Sequence, residues 1–245
     1  MRVELQQLTK RLGSKEVLRG LDLMVPDNQV VCLVGGSGAG KTITLRHVIG
    51  LMKPDSGRVL VDGRDIVPLS ETELIPVRRR FGMVFQNGGL LTSIPVGRNV
   101  SLALREHRLA PKADIPRIVS EKLALVGLAG IENQMPDSLS GGMRKRVSIA
   151  RALTTGPEII LYDEPTAGLD PPLAAQIDGL ILDLNKRLGV GALVVTHDMI
   201  SVFRIADVVL MIHNGRIVEK GSPEEFKRSE VPEVVEFLQR DMGRL

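Results

Sequence analysis

The 245-residue chain is 43% hydrophobic and 25% charged, a balance that suits a soluble globular protein with a sizeable core. Lys+Arg 32 against Asp+Glu 29 leaves a net charge of only +3, and aromatics are 2%, so neither a basic face nor base-stacking platforms point to nucleic acid. The single cysteine, Cys32, excludes an intrachain disulfide, and without a signal-like start or a run of bilayer length the expected location is the cytoplasm.

Short apolar runs from Val3 to Val25, broken by Gly13, Gly20 and Pro26, predict antiparallel strands leading into Val30-Val31-Cys32-Leu33-Val34. That apolar run meets Gly35-Gly36-Ser37-Gly38-Ala39-Gly40-Lys41-Thr42, after which Ile43, Leu45, Val48 and Ile49 continue at helical spacing. Strand, glycine-rich loop and helix make the setting of a phosphate-binding P-loop. Its backbone N–H groups and the helix N-terminus attract an anion. Lys41 is then expected to reach the β/γ-phosphates and the Thr42 hydroxyl to ligate Mg²⁺. Beyond the loop, Val59–Val61 predicts a strand, Ser70-Glu71-Thr72-Glu73 a capping box, and Phe81–Phe85 another strand.

From about Gln86 to Gly156 the pattern turns helical, at Val96–Arg105, Ile115–Val126 and Met143–Leu153. Strands and helices alternate again from Ile159: strands at Ile159–Tyr162 and Leu193–Thr196, a long helix at Leu173–Leu188, an Asn214-Gly215 hairpin, and a helix over Val231–Arg240. The basic clusters Arg78-Arg79-Arg80 and Arg144-Lys145-Arg146 are expected to be solvated faces. His47 and His107 are expected on helices and His213 in the hairpin turn, all three without a chemical role.

Several polar residues follow apolar strands and would open on one crevice at the strands' carboxyl ends. Asp163 and Glu164 follow Ile159–Tyr162; Asp163 suits a Mg²⁺ and Glu164 is placed to take a proton from attacking water. Gln86 is suited to a water on the metal or the attacking water, and His197 to the γ-phosphate. Ser140-Gly141-Gly142 at a helix mouth makes a second anion-binding tip, which suggests nucleotide shared between two copies.

The ordered set of P-loop, Gln86, Ser140-Gly141-Gly142, Asp163-Glu164, Asp170 and His197 resembles an ATP-binding-cassette (ABC) ATPase over essentially the whole chain. The resemblance implies a RecA-like α/β P-loop core at about 1–86 and 158–245, with an N-terminal antiparallel β subdomain and an inserted helical subdomain at about 87–157. It implies ATP and Mg²⁺ as ligands, with Leu12 and Val17 beside the nucleotide and Thr42, Gln86 and Asp163 at the metal. Two copies would close head to tail, Ser140 and Gly142 contacting the γ-phosphate in trans and Asp170 coupling the sites. Glu164 becomes the general base, His197 the γ-phosphate switch, and Lys41 and Gln86 complete the catalytic set.

Met143, where most cassettes have Gln, and the Phe85-Gln86-Asn87-Gly88-Gly89-Leu90-Leu91 and Leu104-Arg105-Glu106-His107 segments are similar to the ATPases of Mla/Mce-type lipid transporters. That branch implies a membrane permease, an Mce-domain substrate-binding protein, a small cytoplasmic accessory subunit, and a place on the cytoplasmic face of the inner membrane. The alternatives are a polar-solute importer and a soluble non-transport cassette. Leu12 departs from the family's usual aromatic, offering adenine only apolar contact. Pro95 and Arg98 depart from the usual residues of a segment that faces the permease, and the end at Leu245 leaves no room for a long C-terminal domain.

Overall fold

The N-terminal runs pair with one another before the phosphate-binding loop is reached. In the computed structural model, which describes residues 1–242, strands β1 (Val3–Leu12) and β2 (Lys15–Val25) form an antiparallel ribbon. The central strand β3 (Val30–Val34) follows, then helix α1 (Lys41–Val48). Strands β4 (Ser56–Val61) and β5 (Arg64–Asp65) join the ribbon in a four-stranded sheet of order β2-β1-β4-β5. Helix α2 (Glu71–Arg78), opened by the Ser70/Glu73 capping box, leads to β6 (Phe81–Val84). The expectation for Leu245 lies outside the described residues.

The next segment is helical: α3 (Val96–Val100), α4 (Leu102–Glu106), α5 (Ile115–Leu125) and α6 (Gly141–Ala152). The alternating part resumes with β7 (Ile159–Asp163), α7 (Pro171–Leu188), β8 (Gly191–Thr196), α8 (Met199–Ile205), β9 (Val208–His213) and β10 (Arg216–Gly221). Helices α9 (Pro223–Lys227) and α10 (Pro232–Met242) follow. These strands form a six-stranded sheet of order β10-β9-β3-β8-β7-β6. All neighbours in it are parallel except the β9–β10 hairpin, whose Asn214 and Gly215 both take the positive φ of a tight turn.

Every residue of β3, β7 and β8 is buried, because both faces of the sheet are covered. Alternate side chains feed different cores. Val30, Cys32 and Val34 pack with residues of the helical segment and α7, whereas Val31 and Leu33 pack with α1 and the antiparallel sheet. Cys32 is fully buried, and burial pushes its thiol pKa up, which leaves it an inert filler.

Four expectations change in detail. The predicted helix over Val96–Arg105 is two short helices, because Ser101 leaves helical geometry (φ −81°, ψ 0°). The helix expected at Met143 begins at Gly141, since the Ser140 side chain caps it by accepting the Met143 N–H at 3.2 Å. His107 terminates α4 rather than lying within it. The arginine clusters are not simply solvated: Arg78 donates to the carbonyls of Ile49 and Gly50, Arg80 pairs with Glu158 and Asp62, and Arg144 bonds the Leu139 carbonyl. Lys145 is buried. Arg78, Arg80, Arg144 and Lys145 each meet a carbonyl or carboxylate that the linear sequence gives no sign of.

Candidate active site

The carboxyl ends of β3, β8, β7 and β6 point the same way, so the residues that follow them share one cleft of about 870 Å³. The loop after β3 approaches the sheet too closely for a side chain at Gly35. Its φ is +153°, and a Cβ there would sit 2.3 Å from the Ile212 carbonyl oxygen. Gly40, at φ +112°, starts α1 where a Cβ would come within 2.9 Å of Leu18. The loop is thus pressed between β9 and β2, leaving its outer rim (Gly36, Ser37, Gly38, Gly40, Lys41 and Thr42) to line the cleft. Gly35 and Ala39 are not among the lining residues; Ala39 closes the loop by donating its N–H to the Gly36 carbonyl.

Lys41 Nζ donates to the Gly35 and Gly36 carbonyls at 2.7 and 3.2 Å and lies 3.9 Å from Glu164 Oε1. Burial lowers its pKa, an effect that the Glu164 and Asp163 carboxylates oppose. At the end of β7, Asp163 Oδ1 accepts the Thr42 hydroxyl proton at 3.1 Å. Burial raises the Asp163 pKa; the Thr42 hydrogen bond works against the rise. A hydroxyl and a carboxylate converging at this distance, with Gln86 lining the same cleft, are the hard oxygen donors a Mg²⁺ takes when phosphates complete its shell. Those residues fit the ion.

Glu164 departs from ordinary backbone geometry, with φ +49°. Its carboxylate accepts the Thr196 hydroxyl at 3.2 Å and lies 3.0 Å, through both oxygens, from His197 Nδ1. The imidazole side chain is 62% exposed and itself lines the cleft, so it can face an added phosphate while touching Glu164. Leu12 and Val17 line the far end, Leu12 at 41% exposure. The fold therefore brings together Leu12, Val17, the loop, Gln86, Asp163, Glu164 and His197.

Ser140, Gly141, Gly142 and Asp170 are not among the residues that line this cleft. Ser140 caps α6, and Asp170 caps α7 by accepting the Leu173 N–H at 2.9 Å. A Cβ added at Gly141 or Gly142 would meet only ordinary contacts, 3.4 Å from Leu169 and 3.5 Å from Leu173. Besides Ile43, expected only as part of the helix after the loop, three lining residues escaped the sequence reading: Phe237, Arg240 and Asp241 of α10. Asp241 accepts the Met199 N–H at 2.9 Å, tying α10 to the helix that follows His197. Only the tertiary packing of α10 reveals them, and no local pattern marks it.

A family model described as ABC transporter matches residues 18–167. The chain belongs to that family. Its fold is that of an ATP-binding cassette: it superposes with TM-score 0.82 on the cassette MJ0796, solved as a dimer in a post-hydrolysis state bound to ADP and Pi, at 30% identity over 90% of this chain and 98% of that one. Among curated relatives, this cassette is 41% identical over 236 residues to the probable ribonucleotide transport ATP-binding protein mkl of Mycobacterium tuberculosis. That match covers 96% of this chain but only 66% of mkl, so the chain spans less than two thirds of that relative. It is 39% identical over 96% of its length, and 89% of the relative's, to the intermembrane phospholipid transport system ATP-binding protein MlaF of Haemophilus influenzae. It is 43% identical over 97% of its length to the methionine import ATP-binding protein MetN 3 of Pectobacterium atrosepticum, covering 70% of it. Among the described residues no helix is long and apolar enough to cross a membrane.

Proposed function

We propose that this cassette is the ATP-hydrolysing subunit of a membrane transporter, and that two copies close head to tail around two ATP to drive a permease. The observation that carries this is the division of the phosphate-binding parts. One cleft holds the P-loop rim, Glu164 and His197, while the Ser140-Gly141-Gly142 tip lies outside it, with glycines that its own chain leaves room to replace. A tip reserved for close approach by another body fits a second copy's nucleotide. The likeness to a cassette solved as a dimer with ADP and Pi supports the same reading.

In this mechanism the P-loop amides and Lys41 hold the β/γ-phosphates, while Leu12 and Val17 flank the base. Thr42 and Asp163, with Gln86 nearby, would hold Mg²⁺, which would supply positive charge against the phosphates. Glu164 takes the proton of the attacking water, its carboxylate aimed by Thr196 and His197. His197 donates to the γ-phosphate, and the partner's tip contributes Ser140 and Gly142 from the opposite side, with Asp170 at the seam. The γ-phosphate is the group that both copies contact, so its loss supplies the free-energy difference that reopens the dimer. The tip rides on the helical segment at about 87–157, which we assign as a subdomain inserted in the core at about 1–86 and 158–245.

The cargo we favour is phospholipid or another lipid moved between membranes. The permease would be accompanied by an Mce-domain binding protein and a small accessory subunit, with the cassette on the cytoplasmic face. Support comes from Met143 within the second tip and from the likeness to MlaF over 89% of its length. The likeness to MetN 3 favours a second reading, a polar-solute importer such as one for amino acids. Affinity capture of the tagged protein from detergent-solubilised native membranes, with proteins and lipids identified by mass spectrometry, separates them. A permease with an Mce-type protein and phospholipid is the expected outcome. A permease with a soluble solute-binding protein would replace the lipid reading, and capture of no membrane protein would overturn the transporter assignment.

A further inference from the structure

Lys145 is a lysine at 6% exposure in the middle of α6, where an ammonium is costly unless its donors are satisfied. Its Nζ donates to two main-chain carbonyls from two separate parts of the site, that of Gln86 after β6 and that of Glu164 after β7, the latter at 3.1 Å. Burial lowers the Lys145 pKa, and the Glu164 and Asp163 carboxylates oppose the shift.

The carbonyl it holds belongs to the residue with the unusual backbone. Glu164 holds φ +49°, a left-handed conformation that is strained for a non-glycine residue and persists where its surroundings restrain it. One restraint is the Glu164 N–H bond to the Val195 carbonyl at 2.8 Å; on the carbonyl side the Ala167 N–H at 3.2 Å and Lys145 both bind, and Lys145 is the one that comes from another element. The same helix grips the turn after Gln86 elsewhere. Ser148 donates to the Gly88 carbonyl at 2.6 Å, and Arg151 donates to the Gly88 and Gly89 carbonyls. Those two brace the turn, yet among the side chains of α6 only Lys145 is bonded to Glu164.

We propose that Lys145 is a positioning residue for hydrolysis, tying the backbone of Glu164 and the Gln86 turn to the helix whose first turn carries Gly141 and Gly142. The inference rests on Glu164 being the base and on Ser140-Gly141-Gly142 meeting nucleotide across a dimer. From Gly141 to Lys145 is about one helical turn, roughly 6 Å of helix axis. Engagement of the tip by a partner's nucleotide is therefore felt at Glu164 through one short rigid element, and the base is aligned when the second copy is in place.

The test is steady-state hydrolysis of Mg-ATP by the full chain, beside binding of a fluorescent ATP analogue and thermal melting. Lys145→Met keeps most of the side chain's length while removing the charge and the donors. Its kcat should fall at least about tenfold, with KM and analogue affinity within about twofold of wild type. Ser148→Ala removes a buried bond from the same helix to the same turn, without touching Glu164, and should stay within about threefold in kcat. Lys145→Arg, which keeps charge and donors, should recover most of the rate. Equal losses in Lys145→Met and Ser148→Ala, a loss confined to KM, or a wild-type kcat in Lys145→Met would each overturn the proposal. If Lys145→Met does not fold, Lys145→Gln takes its place, and a wild-type kcat there overturns the proposal as well. Glu164→Gln run in parallel keeps the two ideas apart. If it hydrolyses at the wild-type rate the base assignment fails, whereas if it is dead while the Lys145 variants are normal, only the Lys145 proposal fails.

Discussion

The chain carries two glycine-rich phosphate tips, and they are built on opposite principles. In the P-loop the protein's own packing demands glycine at two positions: a side chain at Gly35 would strike the Ile212 carbonyl at 2.3 Å, and one at Gly40 would strike Leu18, while Gly36 and Gly38 stand open on the rim. At Gly141 and Gly142 the nearest atoms are 3.4 and 3.5 Å from where a Cβ would stand, and neither glycine has a positive φ. The first tip is complete within one chain. The second has space that its own chain does not use, and the proposed dimer supplies the body that fills it.

The largest test of this contrast removes the base. Glu164→Gln should hydrolyse ATP at about 10²–10⁴-fold below wild type while still binding it. With turnover blocked, the ATP-bound dimer should accumulate and be visible by size-exclusion chromatography with light scattering. A variant that turned over normally, or one that stayed monomeric in saturating ATP, would break the picture of two tips meeting across a seam.

Next in size is a matched pair of alanines. Gly35→Ala should lose about 3 kcal/mol of stability, near 10 °C in Tm for a chain of this size, because backbone has to move. Gly142→Ala should melt within about 2 °C of wild type, yet lose ATP-dependent dimerisation in the Glu164→Gln background. The same drop in Tm for both would mean that both tips are governed by packing in cis. At the base end of the cleft, Leu12→Tyr offers adenine an aromatic face in place of an apolar edge. A stacking gain of about 0.5–1.5 kcal/mol corresponds to roughly 2- to 10-fold tighter ATP, measured by competition with a fluorescent analogue. Unchanged affinity would place the base away from Leu12.

The same contrast explains what could be read from the sequence. The strands β3, β7 and β8 are apolar runs ended by glycine (β3), carboxylate (β7) or Thr196-His197 (β8), so their ends, and hence Gly35–Thr42, Asp163, Glu164 and His197, were legible to within a residue or two. In the basic run at 144–146, expected as a solvated face, Arg144 is exposed but Lys145 is buried. Lys145 lies at helical spacing from buried Gly142, Ile149 and Ala152, so the helix period carried the signal that its charge obscured. Phe237, Arg240 and Asp241 had no such signal. They reach the cleft only because α10 packs near α8, a contact that the sequence of neither helix announces.

The smallest expected effect lies beneath the cis tip. His47 is fully buried in α1, its Nδ1 2.8 Å from the Ile43 carbonyl. Burial holds its pKa below the ordinary value of 6.5, with Lys10 adding to the shift and the Ile43 carbonyl and Asp55 opposing it. A histidine whose pKa is lowered on folding is kept neutral in the native state. Between its folded and unfolded pKa values the unfolded chain binds more protons, so stability rises with pH there. As pH falls from about 7 through 6.5, the wild type should therefore lose stability that His47→Gln, which does not titrate, retains. Parallel melts from pH 7.5 to 5.5 should show the two curves diverging toward acid. Curves that stay parallel would mean that His47 accepts its proton without disturbing the helix on which the P-loop is mounted.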